Sequence, residues 1–401
     1  MDKMIQNKCF RQEKYGMCRI AVVGGIMMEI IQEKIVRASI LTIPGIGSQR
    51  LRQLIAYFGS AAQALEAPAG AFSELAHLIW VKEFLQHRAE LDPGAFQERL
   101  QREGISLVMP GESAYPCLLA ECPDAPPVLF YKGVLQARQE GIAVVGARKA
   151  SPYGKAAASF LAGGIAREGY AVVSGLARGI DTAAHQGALE AGGITWAFMA
   201  GGLDTIYPYE NTKLANSIME KGALLSEYPP GIPPEPGQFP ARNRLISGSS
   251  RGVIVVEAAE KSGALITADC ALEQGREVYA VPGPIFSELS RGTHQLLRMG
   301  AKVTEDMRDV LSELAPSTPE NRLSEVPACL EGMTWVRSKG MRQTESKWAE
   351  ILGCLSDVPL HIDRLAVLCP LPAQDIALGL LELQLAGEIL QLPGQHYVLQ
   401  R

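Results

Sequence analysis

Five short segments hold the residue types that could do chemistry. Val145-Gly146-Ala147-Arg148-Lys149-Ala150-Ser151 joins an apolar run to an amphipathic stretch. Free N–H groups at a helix start attract phosphate, and Arg148 can add a bidentate, charge-assisted contact. Ser174-Gly175-Leu176-Ala177-Arg178-Gly179-Ile180-Asp181 follows a second apolar run. Gly175 and Gly179 there let backbone approach a ligand closely, and Asp181 is expected to cap the next helix. Gly201-Gly202-Leu203-Asp204 runs on to Tyr207-Pro208. Phe239-Pro240-Ala241-Arg242-Asn243-Arg244 sets an aromatic ring before two arginines and an asparagine. Such a ring can stack a base or simply fill a core, and Arg242 and Arg244, two residues apart, are expected to spread across a groove. The fifth segment, Lys261-Ser262-Gly263-Ala264, puts another lysine at a glycine turn.

The same segments say what chemistry is not expected. The first turn matches neither the dinucleotide fingerprint G-x-G-x-x-G nor the ATP-binding G-x-x-x-x-G-K-[ST]. His185 stands alone on a helical stretch and reads as structural. The eight cysteines form no C-x-x-C pair and keep no metal-ligand spacing with histidine, so reduced thiols and no metal or cofactor are expected. Glu257, at the end of a predicted strand, is the one carboxylate that could stand beside a bound ribose. It supports an alternative reading as a nucleotide-hydrolysing, phosphoribohydrolase-type enzyme, or reads as a cap or ion-pair partner.

These turns need a frame. Apolar runs at Ile142–Val145, Tyr170–Val173, Thr195–Met199, Ala223–Leu225, Val253–Val256 and Val278–Val281 alternate with amphipathic stretches such as Tyr153–Arg167, Asp181–Glu190, Asn211–Glu220 and Ser262–Gln274. That alternation predicts an α/β domain over 106–312, with a mostly parallel sheet and its ligand site at the carboxyl ends of the strands. Residues 29–105 read as short helices, Arg50–Phe58 and Ser73–Gln86 among them. The Pro44-Gly45-Ile46-Gly47 break resembles the turn of a helix-hairpin-helix (SAM-like) unit. Residues 1–28 read as an extension and 313–343 as a linker. Three helical stretches and a short hairpin over 344–401 make a winged-helix pattern. Its third helix, from Ala373 to Gly387, holds Asp375 and Glu382 but no Lys or Arg, so protein contact or autoregulation is expected of it rather than DNA reading.

Composition sets limits. Of 401 residues, 43 are acidic and 38 basic, for a net charge of −5, so any polyanion must meet a local basic surface. Two windows free of acids supply one: Gly141–Arg167 holds Arg148, Lys149, Lys155 and Arg167, and Pro236–Val256 holds Arg242, Arg244 and Arg251. A hydrophobic fraction of 47% is enough for sizeable cores. No apolar run reaches the roughly 20 residues of a membrane span, and a cytoplasmic protein is expected.

Taken in order, the quoted turns, together with Ser226-Glu227-Tyr228-Pro229, Leu245-Ile246-Ser247-Gly248 and Val281-Pro282-Gly283, resemble the DNA-processing protein A family (DprA, Smf). The resemblance implies a Rossmann-like fold that binds single-stranded DNA, dimerises and loads the RecA recombinase during natural transformation, without being an enzyme. It maps a DNA groove onto Arg148, Ser174, Gly175, Arg178, Phe239, Arg242, Asn243, Arg244 and Lys261. Ala147, Ser249, His294 and Tyr209 depart from the family pattern, and Tyr209 stands where a basic residue is frequent.

Overall fold

The computed structural model describes residues 32–312 and 314 and, further on, 348–355, 360–369, 371–385, 389–392 and 396–399. The expected extension over 1–28 and, residue 314 apart, the expected linker over 313–343 lie outside the described residues.

Nine strands form one sheet: β1 (Ser106–Val108), β2 (Leu129–Gly133), β3 (Gly141–Val145), β4 (Ala171–Ser174), β5 (Thr195–Phe198), β6 (Ala223–Ser226), β7 (Ser250–Val255), β8 (Glu277–Ala280) and β9 (Lys302–Val303). Their order is β1-β2-β6-β5-β4-β3-β7-β8-β9. From β6 to β9 every neighbouring pair is parallel, and β1 and β2 add an antiparallel margin beside β6. The six central strands fall on the six predicted apolar runs. Strands buried on both faces read as nearly continuous apolar runs, which is why they are legible. The margins β1, β2 and β9 are short or partly exposed and carry no such signal.

Alternation within β3 sends Ile142 and Val144 to one face and Ala143 and Val145 to the other. The first pair packs with Ala158, Leu161 and Ala184 of helices Pro152–Arg167 and Ile180–Glu190. The second packs with Leu245, Ile246 and Ala268 of helices Gln238–Gly248 and Gly263–Glu273. The chain winds outward from β3 to β6, then crosses back to place β7 on the other side of β3. Loops leaving β3 and β7 therefore diverge and open a crevice at their carboxyl ends, the usual ligand site of a doubly wound sheet.

The helical region before β1 contributes to the same core. Val36, Leu51, Leu54 and Phe84 cluster with Phe130 of β2, Ala197 of β5 and Leu224 of β6. The helix Ser48–Phe58 starts two residues ahead of its predicted limit. The continuous helix expected over Ser73–Gln86 does not form. A 3-10 helix spans Ala69–Leu75, and an α-helix begins afresh at Ile79 and runs to His87. Packing overrides the local preference: Phe72, on the first of these, sits 4.5 Å from the Phe58 ring and 5.7 Å from Phe84.

The described residues up to 314 and those from 348 onward form separate compact units. The second unit, among its described residues, has helices Ala349–Cys354, Ile362–Leu368 and Ala373–Leu385. Its strands β10 (Leu360–His361), β11 (Ile389–Leu392) and β12 (His396–Leu399) pair antiparallel in the order β10-β12-β11. Strand β10 was not predicted. Trp348, Ile351, Leu365, Ile376 and Leu380 make the core of this unit, and Trp348 Nε1 donates to Glu382 at 2.6 Å. One acidic side chain of the third helix thus has an internal partner.

The shared core makes a direct prediction. Phe84 is fully buried, so Phe84→Ala is expected to destabilise the first unit by about 3–5 kcal/mol, read as a lower urea midpoint.

Candidate functional site

The loops at the carboxyl edge enclose a cleft of about 670 Å³, lined by Gly146, Arg148, Lys149, Phe239, Arg242 and Asn243 among others. A narrower hollow adjoins it, reaching Gly175, Arg178, Thr205 and Pro234. Both are lined by Arg148, Ala177, Tyr207, Phe239 and Arg242, so they form one groove. Helices Pro152–Arg167 and Gly263–Glu273 point their N-termini at this edge, capped by Ser151 (from Gly154 N–H, 3.0 Å) and Ser262 (from Ala264 N–H, 3.3 Å). Helix N-termini and cations together make the edge attractive to anions.

Phe239 occupies the middle of the groove and is only half-buried. The Arg148 guanidinium lies 4.8 Å from its ring centre, and Tyr207 meets it edge-on at 5.9 Å. Arg148 is exposed, and no carboxylate pairs with it among the described residues. Cation, ring and phenol thus converge from the loop after β3, the first turn of helix Gln238–Gly248 and the loop after β5.

Arg242 has a different role. It is only 5% exposed and lies against the floor. Its Nη1 donates to the Gly175 carbonyl (2.6 Å) and the Phe198 carbonyl (2.8 Å), joining the ends of β4 and β5. Burial pulls its pKa down, and the nearby Asp181 carboxylate opposes that. Asp181 is not the N-cap of its helix. Gly179 holds that position at φ 79°, where a Cβ would overlap the Ala147 carbonyl. Asp181 lies in the first turn and reaches back to accept from the Gly175 N–H (3.2 Å) and the Ala177 N–H (3.3 Å). Burial pushes its carboxyl up, and Arg242 and these N–H groups pull the other way.

The loop between Gly175 and Gly179 is therefore pinned from within. His185 is fully buried; its Nε2 accepts from the Leu176 N–H (3.3 Å), and its Nδ1 lies 2.7 Å from Thr195 Oγ1. Thr195 Oγ1 itself donates to the Val172 carbonyl, which assigns the proton to Nδ1 and leaves the ring neutral. Burial agrees, pulling the His185 pKa down to about 3. Asn211 Nδ2 donates to the Leu176 carbonyl at 2.8 Å. These contacts hold Leu176 at φ 57°, a left-handed conformation unfavourable for its side chain. Gly175 was expected to let backbone approach a ligand closely; its amide and those of Leu176 and Ala177 point instead to Asp181 and His185. Buried donors take internal partners.

The other predicted residues divide. Ser174 is fully buried, and its hydroxyl donates to the Val144 carbonyl at 2.7 Å. Asn243 lines the cleft while its Nδ2 donates to the Gly263 carbonyl at 3.1 Å. Arg178 lines the groove and is paired with Glu210. Lys261 is exposed and lines a shallow neighbouring hollow with Glu260 and Asp269. Arg244 does not line the groove: it pairs with Glu227 and, at 3.2 Å, with Asp124. Two residues along a helix is a rotation of about 200°, so Arg242 and Arg244 point to different surroundings. Glu257 is buried, and its carboxylate accepts from the Ser151 N–H (2.9 Å) and hydroxyl (2.5 Å), tying the loop after β7 to the loop after β3. Tyr207 lines the cleft without having been predicted, its only sequence signal being its place after a glycine-bearing turn; Lys149, expected only as part of the acid-free basic window, lines it too. Among the described residues no three His, Cys, Asp or Glu side chains converge as metal ligands, and no helix is long and apolar enough to cross a membrane.

Fold and groove define a Rossmann-like α/β protein with a cation-lined cleft at its topological switch point. Residues 106–315 match the model of the DNA recombination-mediator protein A family, and residues 341–395 match the DprA winged helix domain. The chain is 38% identical over 310 residues to protein Smf of Escherichia coli (strain K12), covering 75% of this chain and 79% of that protein. It is 43% identical over 231 residues to the DNA processing protein DprA of Streptococcus pneumoniae (strain ATCC BAA-255 / R6), covering 57% and 81%. The X-ray structure of the Streptococcus pneumoniae DprA superposes with a TM-score of 0.61 at 38% identity, over 69% of this chain and 96% of that one. The chain belongs to the DNA recombination-mediator protein A family, and the resemblance carried by its glycine turns is borne out.

The pinned loop has two measurable consequences. The folded His185 pKa lies below its ordinary 6.5, so its stabilising contribution is complete above pH 6.5 and is lost as pH falls toward 3. Acidification from pH 6.5 to 5 is expected to cost about 2 kcal/mol through this group, and His185→Gln should flatten the fall of the melting midpoint over that range. At Gly175, a Cβ would overlap the Arg242 guanidinium. Gly175→Ala is expected to lower the melting midpoint through the displaced arginine, an overpacking cost of about 1–3 kcal/mol.

Proposed function

We propose that this protein binds single-stranded DNA along the carboxyl-edge groove and acts, in the cytoplasm, as a non-catalytic recombination mediator that protects incoming strands and passes them to the RecA recombinase during natural transformation. The observation that carries the reading is the half-exposed Phe239 ring with Arg148 over it and Tyr207 at its edge. An unpaired base can stack on such a ring while its phosphate meets the guanidinium. A paired base, already stacked within a duplex, cannot, so preference for single strands follows. The family model and the DprA relatives support the mediator role; the RecA step and a homodimeric state rest on that family membership.

A binding role also agrees with how the carboxylates are placed. Glu257, weighed for ribose hydrolysis, is held by Ser151, and Asp181 faces the protein's own amides. Of the predicted residues that line the groove, Arg148, Phe239 and Arg178 have side-chain surface open to a strand. Gly175, Arg242, Asn243 and Ser174 shape the groove from beneath. Lys261 would meet a strand only at the groove's outer end, and Arg244 is assigned to holding the fold. Residues 344–401 are assigned to protein contact.

Fluorescence anisotropy with labelled oligothymidylate, set against a hairpin duplex, tests the reading. Phe239→Ala is expected to weaken strand binding by about 5- to 150-fold, the equivalent of about 1–3 kcal/mol of stacking. Arg148→Ala should reduce the slope of log affinity against log salt by about 0.7. Equal affinity for duplex and single strand, or wild-type behaviour of both variants, would refute it.

A further inference from the structure

Arg178 lines the groove with Arg148, Tyr207 and Phe239, but its guanidinium already holds an anion of the protein's own. Arg178 Nη2 donates to Glu210 Oε2 at 2.8 Å while Nε donates to Oε1. The two side chains are 59% and 53% exposed. The pairing holds the Glu210 carboxyl below its usual range and the Arg178 guanidinium above its own, each mainly through these hydrogen bonds.

An exposed pair of this kind contributes little to a fold. The segment that holds Glu210 does not need it, either. The next residue, Asn211, is buried and fastens the backbone by donating to the Leu176 carbonyl (2.8 Å) and to Thr182 Oγ1 (2.9 Å). Glu210 thus has a carboxylate without a structural duty, aimed at a groove cation. A carboxylate and a phosphodiester offer a guanidinium fork the same two-oxygen edge.

We propose that Glu210 is an internal competitor for strand phosphate at Arg178, masking that cation until a phosphate displaces it. The inference rests on the groove being the strand-binding surface. It adds a physical reason for release: every phosphate contact at Arg178 forms by breaking an ion pair that re-forms when the strand leaves. A protein that must surrender its strand to another gains from a cation whose net attraction is small, while Arg148, with no carboxylate partner among the described residues, supplies the standing attraction.

The test uses the whole chain as wild type, Glu210→Gln, Arg178→Gln and the double variant, with labelled oligothymidylate from about 50 to about 200 mM salt. Glu210→Gln is expected to tighten binding about 2- to 5-fold and to steepen the salt slope by about 0.7. In the Arg178→Gln background the same change should leave affinity unaltered. Equal tightening in both backgrounds would mean only that a negative charge near the groove was removed, and would overturn the proposal, as would no tightening in either. Melting midpoints should match across the four proteins; a marked fall in Glu210→Gln would give the pair a structural duty and also overturn it. A wild type that fails to retain the strand removes the groove assignment and this inference together. A wild type sensitive to Arg148→Ala but indifferent to Glu210→Gln removes the masking alone.

Discussion

Arg242 puts a guanidinium beneath the groove at 5% exposure, where water cannot solvate it, and the surrounding chain is arranged to receive it. Two carbonyls, at the ends of β4 and β5, accept from Nη1, and the buried Asp181 supplies compensating charge. Such a charge is tolerated only when paired and hydrogen-bonded. The rest follows from that requirement. Gly175 has no side chain because the guanidinium lies where a Cβ would be. Asp181 turns back to the loop rather than capping its helix, and by doing so takes the amides of Gly175 and Ala177.

The consequence is a separation of duties among cations of the same type. Arg242 and Arg244 are two residues apart, yet the first floors the groove and the second is enclosed by Asp124 and Glu227. Arg148 lies over Phe239 with no carboxylate partner among the described residues, and Arg178 stands paired at the rim. A protein of net charge −5 can thus present attraction to a polyanion at one edge without being basic overall. The count of basic residues near a turn says little about this; the partner each one already has says most of it.

The groove is also stiff where it matters. Leu176 is held in a left-handed conformation by a histidine below and an asparagine beside it, and Glu257 ties the loops after β3 and β7 through Ser151. Loops fixed in advance lose little freedom when a ligand arrives, so weak individual contacts can still bind. The exposed side chains of the groove, among them Arg148, Arg178, Glu210 and Tyr207, lie outside this pinned frame.

The α/β class, the six central strands and the five turns were legible because buried parallel strands are apolar throughout and their loops need glycine. The convergence of Arg148, Arg178, Phe239 and Arg242 was foreseeable from those turns meeting at one sheet edge. The direction of Arg244, the inward duty of Asp181 and the amides it holds, the break before Ile79 and the short strands β1, β2, β9 and β10 were not. Several depend on a partner that only the fold brings near: Arg244 on Glu227 and Asp124, Phe72 on Phe58, and Asp181 on the guanidinium of Arg242. Residue type and spacing determine which side chains can reach an edge, since they act through local geometry. Which of those side chains remain open to a ligand is a matter of tertiary structure, because burial and pairing are settled by neighbours that sequence distance does not reveal.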